Sequence, residues 1–306
     1  MPDLIKFKVQ VDCASICNDG EKVIFREMEF VPNYSKDNNI IIGHTHKCMG
    51  WRLKLFGNEL SVSGSLHKYF ERINGGSHNH TDFHFSKVKI ALVAIVELLN
   101  IDIYTARIHY LESGVNVESI IEPKAFLKTI SSFKINKLFY DMVGGRPAKF
   151  YGKKSILSQY SIKLYNKSFE SKQRGLILNR QIIRIEIVYS RTAPISHRIK
   201  YLSDLLEVEN FIWLKEDLIN KVKQIEFIDS QVDTSCIPSK ERMLYYSGLN
   251  PDFWIDESLH NSKSVHNLKS KFRGLSNKVQ VSTDCFSYKG NLLSKIKEKV
   301  EELVSN

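Results

Sequence analysis

Apolar and polar residues alternate along much of the first 85 positions, which predicts β-strands. Residues 7–12, 51–55 and 59–63 each follow a period of two, so that successive side chains point to opposite faces of a strand. The dipeptide Gly57-Asn58 separates the last two segments and predicts a tight turn between antiparallel strands. This part of the chain is therefore predicted to form hairpins.

The apolar period becomes helical after a loop at 73–81 that is rich in Gly, Asn and His. Apolar side chains from Val88 to Leu99 recur at helical spacing, with Ser86 as the expected N-cap and Asn100 as the expected end. The elements predicted next are a strand at 106–117, a short helix at 123–133, and strands around 150, at 160–165 and at 181–189.

Helical stripes dominate after about residue 194. Apolar residues at 211–225 and 292–303 repeat every three or four positions. The order of elements predicts an α+β fold, with a central antiparallel sheet and flanking helices over 1–195 and a helical C-terminal region over 196–306. The sequence has neither the strand–helix alternation nor the glycine-rich phosphate loop of nucleotide-driven motors and Rossmann dehydrogenases, which argues against both classes.

Composition is that of a folded protein without a membrane segment. The 306 residues are 42% hydrophobic and 25% charged, a typical globular balance. The longest apolar run, 90–101, contains Glu97 and is shorter than the ~20 residues of a spanning helix. The first residues lack a signal-peptide core, and five scattered cysteines favour reduced thiols. We therefore expect a cytoplasmic protein with no membrane partner.

Basic residues exceed acidic ones by ten, because 44 Lys and Arg stand against 34 Asp and Glu. The sequence pI is about 9.2. Such an excess favours a polyanion as partner, since each phosphate that a Lys or Arg neutralises releases condensed counterions. Basic residues are concentrated between Lys149 and Arg180, which makes nucleic acid the expected ligand of that stretch.

Three of the predicted strands carry polar side chains suited to chemistry. Alternation places the following residues on one face of their strand: Tyr110, Glu112 and Asn116 on the first, Lys163, Tyr165 and Lys167 on the second, and Arg184 and Glu186 on the third. If these faces converge, two carboxylates can hold a hard divalent cation such as Mg²⁺ or Mn²⁺. A lysine can stabilise charge on a phosphate, and a tyrosine can attack phosphorus and keep the ester bond as a phosphotyrosine.

Five short segments occur in an order that is more specific than any one of them. They are SGSLHKYF at 63–70, ESGVN at 112–116, YGKKS at 151–155, IKLYNKSFE at 162–170 and RIE at 184–186. This succession resembles that of rolling-circle replication initiators of small plasmids and filamentous phages, in the HUH-endonuclease-like superfamily. The resemblance covers roughly residues 50 to 190. It implies an antiparallel sheet with flanking helices and an origin-specific, metal-dependent nickase that stays joined to the 5′ phosphate through tyrosine.

The resemblance also assigns roles to single residues. Tyr165 is the implied nucleophile and Tyr160 is the reserve, while Lys163 or Lys167 is the implied partner of the phosphate. Apart from the resemblance, the residues expected to contact DNA are Lys149, Lys153, Lys154 and Arg184. The implied partners are single-stranded or supercoiled origin DNA and a host helicase, and the free 3′-OH left by the nick primes synthesis.

Metal ligands follow from the same resemblance. Glu112 and Glu186 are the implied ligands of Mg²⁺ or Mn²⁺, with His67 as a further candidate. Many relatives hold the metal with a histidine–hydrophobe–histidine pair. The nearest sequence in this chain is His44 and His46 with a threonine between them, so ligation by this pair departs from the pattern.

Simpler interpretations of these residues remain open. Glu112 and Glu186 can pair with arginines on outward strand faces, and Tyr165 can be a packing residue. Cys13 and Cys17 begin a zinc pattern but have no matching second pair. Residues 240–279 form either a DNA-binding extension or a small core.

Three competing functions differ in their chemistry. A relaxase- or transposase-like nickase would use the same tyrosine chemistry in another biological role. A non-catalytic DNA-binding protein would bind DNA without metal-dependent cutting. A basic structural protein without a DNA partner would lack the steep salt dependence of phosphate contacts.

Overall fold

The computed structural model describes residues 2–35, 37–76, 78–119, 121–134, 137–144, 149–228, 233–260, 262–283 and 287–305. The chain divides into a first unit of Met1–Gly114, Val188–Lys215 and Glu302–Asn306 and a second unit of Val115–Ile187 and Glu216–Glu301. Each unit combines antiparallel strands with helices, which confirms the predicted α+β class. A division at 195/196 stays a prediction.

The strands of the first unit form a long meander. They are β1 (Pro2–Gln10), β2 (Ile16–Asp19), β3 (Lys22–Phe25), β4 (Met28–Tyr34), β5 (Ile41–Cys48), β6 (Trp51–Phe56), β7 (Glu59–Ser65) and β8 (Arg107–Glu118), which continues into the second unit. Their hydrogen-bonded order is β8-β1-β7-β6-β5-β4-β3-β2. The described registers between them are antiparallel.

The hairpin of β6 and β7 forms where alternation predicts it. Leu53 lies opposite Val62 in the register, and both side chains are buried. The turn between the strands contains Gly57 with a φ of 56°, a left-handed conformation that glycine adopts without steric cost. On β7, a Cβ added at Gly64 would lie 2.3 Å from the Trp51 ring, so the absence of a side chain lets the indole pack against the strand.

The helices of the first unit are α1 (Leu66–Ile73) and α2 (Phe85–Leu99). Ser65 caps α1 by accepting a hydrogen bond from the backbone N–H of Lys68 at 3.1 Å. The prediction of Ser86 as N-cap of α2 is wrong, because the N–H of Val88 already bonds to the carbonyl of His84. Ser86 therefore lies inside the first turn. Asn100 ends α2 as predicted, in the left-handed region with a φ of 45°.

The second unit contains more helical residues than the first. Its elements are α3 (Pro123–Lys128), β9 (Ile130–Phe133), β10 (Lys137–Leu138), β11 (Tyr140–Gly144), β12 (Lys149–Ile156), β13 (Tyr160–Asn166), α4 (Lys167–Gln173), β14 (Ile182–Tyr189), α5 (Val208–Val222), β15 (Ile225–Phe227), α6 (Ser239–Gly248), α7 (Pro251–His260), α8 (Ser262–Thr283) and α9 (Tyr288–Ser305). The strand β14 and the helices α5 and α9 each include residues of the first unit as well. The strand orders are β11-β12-β13-β14 and, in a small sheet, β10-β9-β15.

The helix predicted at 123–133 is shorter than expected. It ends at Lys128, and Ile130–Phe133 forms β9. Phe133 pairs with Ile225 of β15, so a strand far along the chain determines the conformation of this segment. Local spacing of apolar residues carries no information on that pairing.

The helices α6, α7 and α8 share a small apolar core. Tyr245, Trp254 and Phe272 are buried in it, and the Trp254 Nε1 donates to the carbonyl of Gly248 at 2.8 Å. This outcome favours the core interpretation of residues 240–279 for Tyr245 and Trp254. In the part of the chain that the structure describes, no helix is long and apolar enough to cross a membrane.

Candidate active site

Three neighbouring strands of the second unit carry the motif residues. β12, β13 and β14 are adjacent in the sheet, and the register places Gly152 opposite Tyr165 and Lys154 opposite Lys163. Alternate residues of a strand point to the same face, so these four residues share one face. The carboxylate of Glu186, on β14, contacts Tyr165 and Lys163 of this face.

Three side chains converge on the carboxylate of Glu186. The Tyr165 hydroxyl donates to Oε1 at 3.0 Å, and the Arg184 Nε donates to the same oxygen at 2.5 Å. The Lys163 Nζ lies 3.5 Å from Oε2. Arg184 and Glu186 are each only 4% exposed, and the Nη1 of Arg184 also donates to the Oδ1 of Asn116 at 3.0 Å. One buried carboxylate therefore contacts a tyrosine hydroxyl and two cationic side chains.

Tyr165 is closely packed on the β12 side. A Cβ added at Gly152 would lie 2.5 Å from the Cβ of Tyr165 and 2.8 Å from the carbonyl of Leu164. The Tyr151 ring meets the Tyr165 ring edge-on, with centroids 6.3 Å apart. Tyr165 is 8% exposed. The glycine of the YGKKS motif is therefore what allows the two strands to approach at the tyrosine.

Lys167 does not lie on the strand face on which alternation predicts it. β13 ends at Asn166, whose Oδ1 accepts from the N–H of Phe169 and caps α4. Lys167 is the first residue of that helix and is 2% exposed. Its Nζ contacts Glu170 at 2.6 Å, and Arg174 contacts the other oxygen of Glu170 at 2.6 Å. The end of the motif is thus an ion-paired helical turn.

Tyr160 lies on the other face of β13, because it is an odd number of positions from Tyr165. Its ring lies near two ammonium groups, 4.8 Å from the Nζ of Lys221 and 5.7 Å from that of Lys134. Burial lowers the pKa of Lys221, and the contact with Asp217 opposes that shift. Tyr160 therefore lies near two lysines and packs edge-on against Phe133, on the face away from Glu186.

The residues predicted to contact DNA have different environments. Lys149 is exposed at the start of β12 and Lys154 is partly buried. The Nζ of Lys153 is 2.7 Å from Asp141. Arg184 is buried against Glu186, so its guanidinium belongs to the site around Tyr165 rather than to an outer surface.

The other predicted metal ligands lie in the first unit. Glu112 on β8 accepts a hydrogen bond from the Tyr110 hydroxyl, and the Nζ of Lys6 lies 4.5 Å from the centre of the Tyr110 ring. Glu112 is therefore part of a group with a tyrosine and a lysine.

His67 is buried in α1, with 2% of its surface exposed. Its Nε2 is 3.0 Å from the Oγ1 of Thr81 and 3.6 Å from Glu71. Its ring stacks on Phe83 with centroids 4.5 Å apart. These contacts are those of a histidine packed within its unit.

The His44 and His46 side chains, both on β5, contact backbone carbonyls. The Nε2 of His44 is 3.0 Å from the carbonyl oxygen of Glu21, and the Nδ1 of His46 is 2.7 Å from that of Glu29. The two histidines thus contact the turn before β3 and the strand β4.

Sequence reasoning missed one group of side chains whose spacing could accommodate a metal ion. Among the described residues, ligand atoms of Asp82, His84 and Glu302 lie within 4.8 Å of one another. The only signal for it in the sequence is the density of His and Asp in residues 78–84. Glu302 follows much later in the chain, so spacing could not reveal the third member.

Comparisons with known proteins add a likeness to a solved structure. The chain matches no protein-family model, and no curated protein matches it either. Among solved structures it is similar to that of a rolling circle replication initiator protein from Geobacillus stearothermophilus, with 12% identity and a TM-score of 0.42, over 79% of this chain and 90% of that chain.

Proposed function

We propose that the chain is a rolling-circle replication initiator that nicks one DNA strand and transfers it through a 5′-phosphotyrosine at Tyr165. The observation that carries the proposal is the hydrogen bond from the Tyr165 hydroxyl to the buried carboxylate of Glu186, with Arg184 and Lys163 on the same carboxylate. These four residues come from the two motifs, IKLYNKSFE and RIE, that resemble the initiator signature.

The chemistry assigns one role to each of these groups. The Tyr165 oxygen attacks the phosphorus, and its proton passes to Glu186, which lies within hydrogen-bond distance. The bond from phosphorus to the 3′ oxygen breaks, and that oxygen takes up a proton to give a free 3′-OH. The 5′ phosphate stays on the tyrosine, so the ester bond is kept for rejoining. Lys163 and Arg184 offset the negative charge that develops on the phosphate and the phenolate.

The metal of the resembled family does not fit Glu186. Both of its oxygens already contact donors, and two of those donors, Arg184 and Lys163, are cations. A divalent ion bound to this carboxylate would be repelled by both. We therefore assign to Glu186 the role of accepting the proton of Tyr165, and no step of the mechanism involves a metal. A requirement for Mg²⁺ or Mn²⁺, with Glu112 and His67 as ligands, stays a prediction.

Contacts to the DNA backbone are assigned to lysines of β12. Lys149 is exposed, and Lys154 lies opposite Lys163 on the face that carries Tyr165. Phosphate contacts of this kind position a strand without reading its sequence. The DNA partner is a single-stranded or supercoiled origin; a host helicase as second partner is a prediction from the family resemblance alone.

Nicking of supercoiled DNA tests the proposal. The substrate spans the region of the chain's own gene, and parallel reactions contain Mg²⁺, Mn²⁺ or EDTA. Conversion to the open circle is expected for the wild-type chain and for Tyr151→Phe, the matched control whose ring contacts Tyr165. Tyr165→Phe should not nick. Nicking that persists in Tyr165→Phe but is lost in Tyr160→Phe would identify Tyr160 as the nucleophile. An absence of nicking in the wild type and in all variants would reject the proposal that the chain is a nickase.

A non-catalytic DNA-binding protein is the second candidate, and the burial of Tyr165 favours it. A tyrosine side chain that is only 8% exposed fits a packing role in the sheet. A nucleophile, in contrast, needs a hydroxyl that a phosphate can reach. The two candidates differ in one result. The binding protein would hold DNA in a salt-sensitive complex that Tyr165→Phe leaves unchanged, without any nicking in the presence of either metal.

A further inference from the structure

We propose that Asp82, His84 and Glu302 form a binding site for one first-row divalent metal ion, Zn²⁺ or Mn²⁺. The three residues belong to the first unit, and their ligand atoms all lie within 4.8 Å of one another. The proposal uses none of the residues of the candidate active site and does not depend on the proposed nicking activity.

The backbone before α2 places two of the ligands on the same side. His84 is extended, with φ of −67° and ψ of 163°, and alternate residues of an extended segment point the same way. The residue between them, Phe83, is buried against His67, which directs Asp82 and His84 away from that contact. Lys87 donates to the backbone carbonyl of Asp82 at 3.0 Å and holds the segment against the start of the helix.

The imidazole of His84 offers a ligand atom of its own. Its Nδ1 is buried and, among the described residues, has no hydrogen-bond partner. A buried polar atom without a partner loses its hydration on folding, and coordination to a metal restores an electrostatic partner. His84 also does not cap α2 through its side chain, so helix capping does not account for its position.

The spacing of the group suits a metal ion. Metal–nitrogen and metal–oxygen bonds of Zn²⁺ are about 2.0–2.2 Å long, so two ligand atoms on one ion are at most about 4 Å apart. A group within 4.8 Å reaches that spacing by small side-chain movements. Two carboxylates at this distance also repel each other, and a divalent cation between them removes that repulsion.

The ligand types decide which metals bind. Carboxylates alone suit Mg²⁺ or Ca²⁺, whereas an imidazole shifts the preference to first-row transition metals. Three protein ligands leave coordination positions for water or another ligand, and Glu302 is exposed. The site is therefore expected to be open to solvent and to bind Zn²⁺ or Mn²⁺ in the presence of excess Mg²⁺.

Metal binding by the full chain tests the proposal. Titration calorimetry with ZnCl₂, and separately with MnCl₂ in excess Mg²⁺, measures affinity and stoichiometry for the wild type, His84→Gln and Glu302→Gln. Each variant should bind the metal at least about tenfold more weakly. Even the loss of a residue that only hydrogen-bonds to a metal ligand lowers the affinity by about that factor. The matched controls His266→Gln and Glu301→Gln remove an exposed imidazole and the neighbouring carboxylate on α9, and both should bind as the wild type does.

A spectroscopic readout identifies the nitrogen ligand. Electron spin echo spectra of the Mn²⁺-loaded wild type should contain a ¹⁴N coupling from a bound imidazole, which His84→Gln should lose and His266→Gln should retain. If His84→Gln does not fold by circular dichroism, the exposed Glu302→Gln variant decides the question. An unchanged affinity in Glu302→Gln, or a wild-type chain that binds neither metal, would overturn the site.

Discussion

At the scale of single residues, the carboxylate of Glu186 holds the proposed site together. It accepts hydrogen bonds from Tyr165 and Arg184 on one oxygen and lies near Lys163 with the other. Removing one partner from a buried ion pair leaves the remaining charge without compensation, which costs about 3–5 kcal/mol. The same carboxylate therefore supports both the fold of β14 and the proposed proton transfer.

Glu186→Gln keeps the shape of this side chain and removes its charge. We expect the free energy of unfolding to fall by about 3 kcal/mol, because Arg184 then stays buried beside a neutral amide. Urea denaturation followed by circular dichroism measures the change. Glu59→Gln is the matched control, since it breaks the more exposed pair with Lys8 and should cost no more than about 1 kcal/mol. Equal losses in the two variants would contradict this role of Glu186.

A second carboxylate makes stability depend on pH. Desolvation raises the pKa of Glu226, while Lys289, Ser276 and Arg273 oppose that shift. A carboxyl with a raised pKa in the folded state contributes most to stability below its ordinary value of 4.5, where both states are protonated. As pH rises, the unfolded state loses its proton first, so the contribution is lost through the raised folded-state pKa.

Glu226→Gln removes that dependence on pH. The difference in the free energy of unfolding, wild type minus variant, should be largest below pH 4.5 and should decrease as pH rises from there. Urea denaturation at a series of pH values measures the difference. A difference that stays constant or increases with pH would mean that the pKa of Glu226 is not raised in the folded state.

At the scale of elements, the close approach of β12 and β13 depends on Gly152. An added methyl group would meet both the Tyr165 side chain and the backbone of Leu164, and backbone cannot move aside as a flexible side chain does. The glycine of the YGKKS segment is therefore a packing requirement of the strand pair, and it fixes where the tyrosine lies.

Gly152→Ala should destabilise the chain by about 1–3 kcal/mol, as overpacking does elsewhere, and should lower nicking by displacing Tyr165. Gly274→Ala is the control with the opposite expected sign. In α8 an added Cβ at Gly274 has nothing within 4 Å, and alanine in a helix interior is favoured over glycine by about 0.5–1 kcal/mol. Thermal unfolding of both variants checks the signs, and a loss of stability in Gly274→Ala equal to that in Gly152→Ala would refute the packing argument.

Elements with one buried face could be predicted from the sequence, and elements defined by distant pairing could not. β6 and β7 alternate because each has one face in the core, and α2 has an apolar stripe that ends at Asn100. β9, in contrast, is four residues long and exists because it pairs with β15. No local period distinguishes so short a strand from the end of a helix.

The same distinction applies to the candidate site. The motif order indicates Lys163, Tyr165, Arg184 and Glu186, and the structure brings these four together. Their meeting on a single carboxylate depends on the pairing of β13 with β14, which alternation does not specify. The group of Asp82, His84 and Glu302 could not be predicted at all, because its third member comes from a helix late in the chain.

At the scale of the whole molecule, the excess of ten basic residues makes binding to a polyanion depend on salt. Each phosphate contact releases condensed counterions, so the logarithm of the binding constant falls linearly with the logarithm of the salt concentration. The steepness of that line reports how many phosphates the chain contacts, and a change in slope assigns a contact to a residue.

Lys149→Gln should reduce the steepness of this line for single-stranded DNA by about 0.7, the contribution of one phosphate contact. Lys47→Gln removes an exposed lysine of β5 and the same net charge, and its slope should equal that of the wild type. Fluorescence anisotropy with a labelled oligonucleotide at several salt concentrations provides the data. A slope for Lys149→Gln that matches the wild type would remove this lysine from the DNA contact.

Identification of the residue that carries the DNA adduct tests the central claim most directly. The chain is incubated with DNA from its own gene region and Mn²⁺, denatured, digested with nuclease and protease, and analysed by peptide mass spectrometry. The expected result is a nucleotide phosphate on Tyr165 that Tyr165→Phe abolishes and Tyr151→Phe retains. An adduct on Tyr160 or any other residue, or an absence of adduct from a chain that binds this DNA, would contradict Tyr165 as the nucleophile.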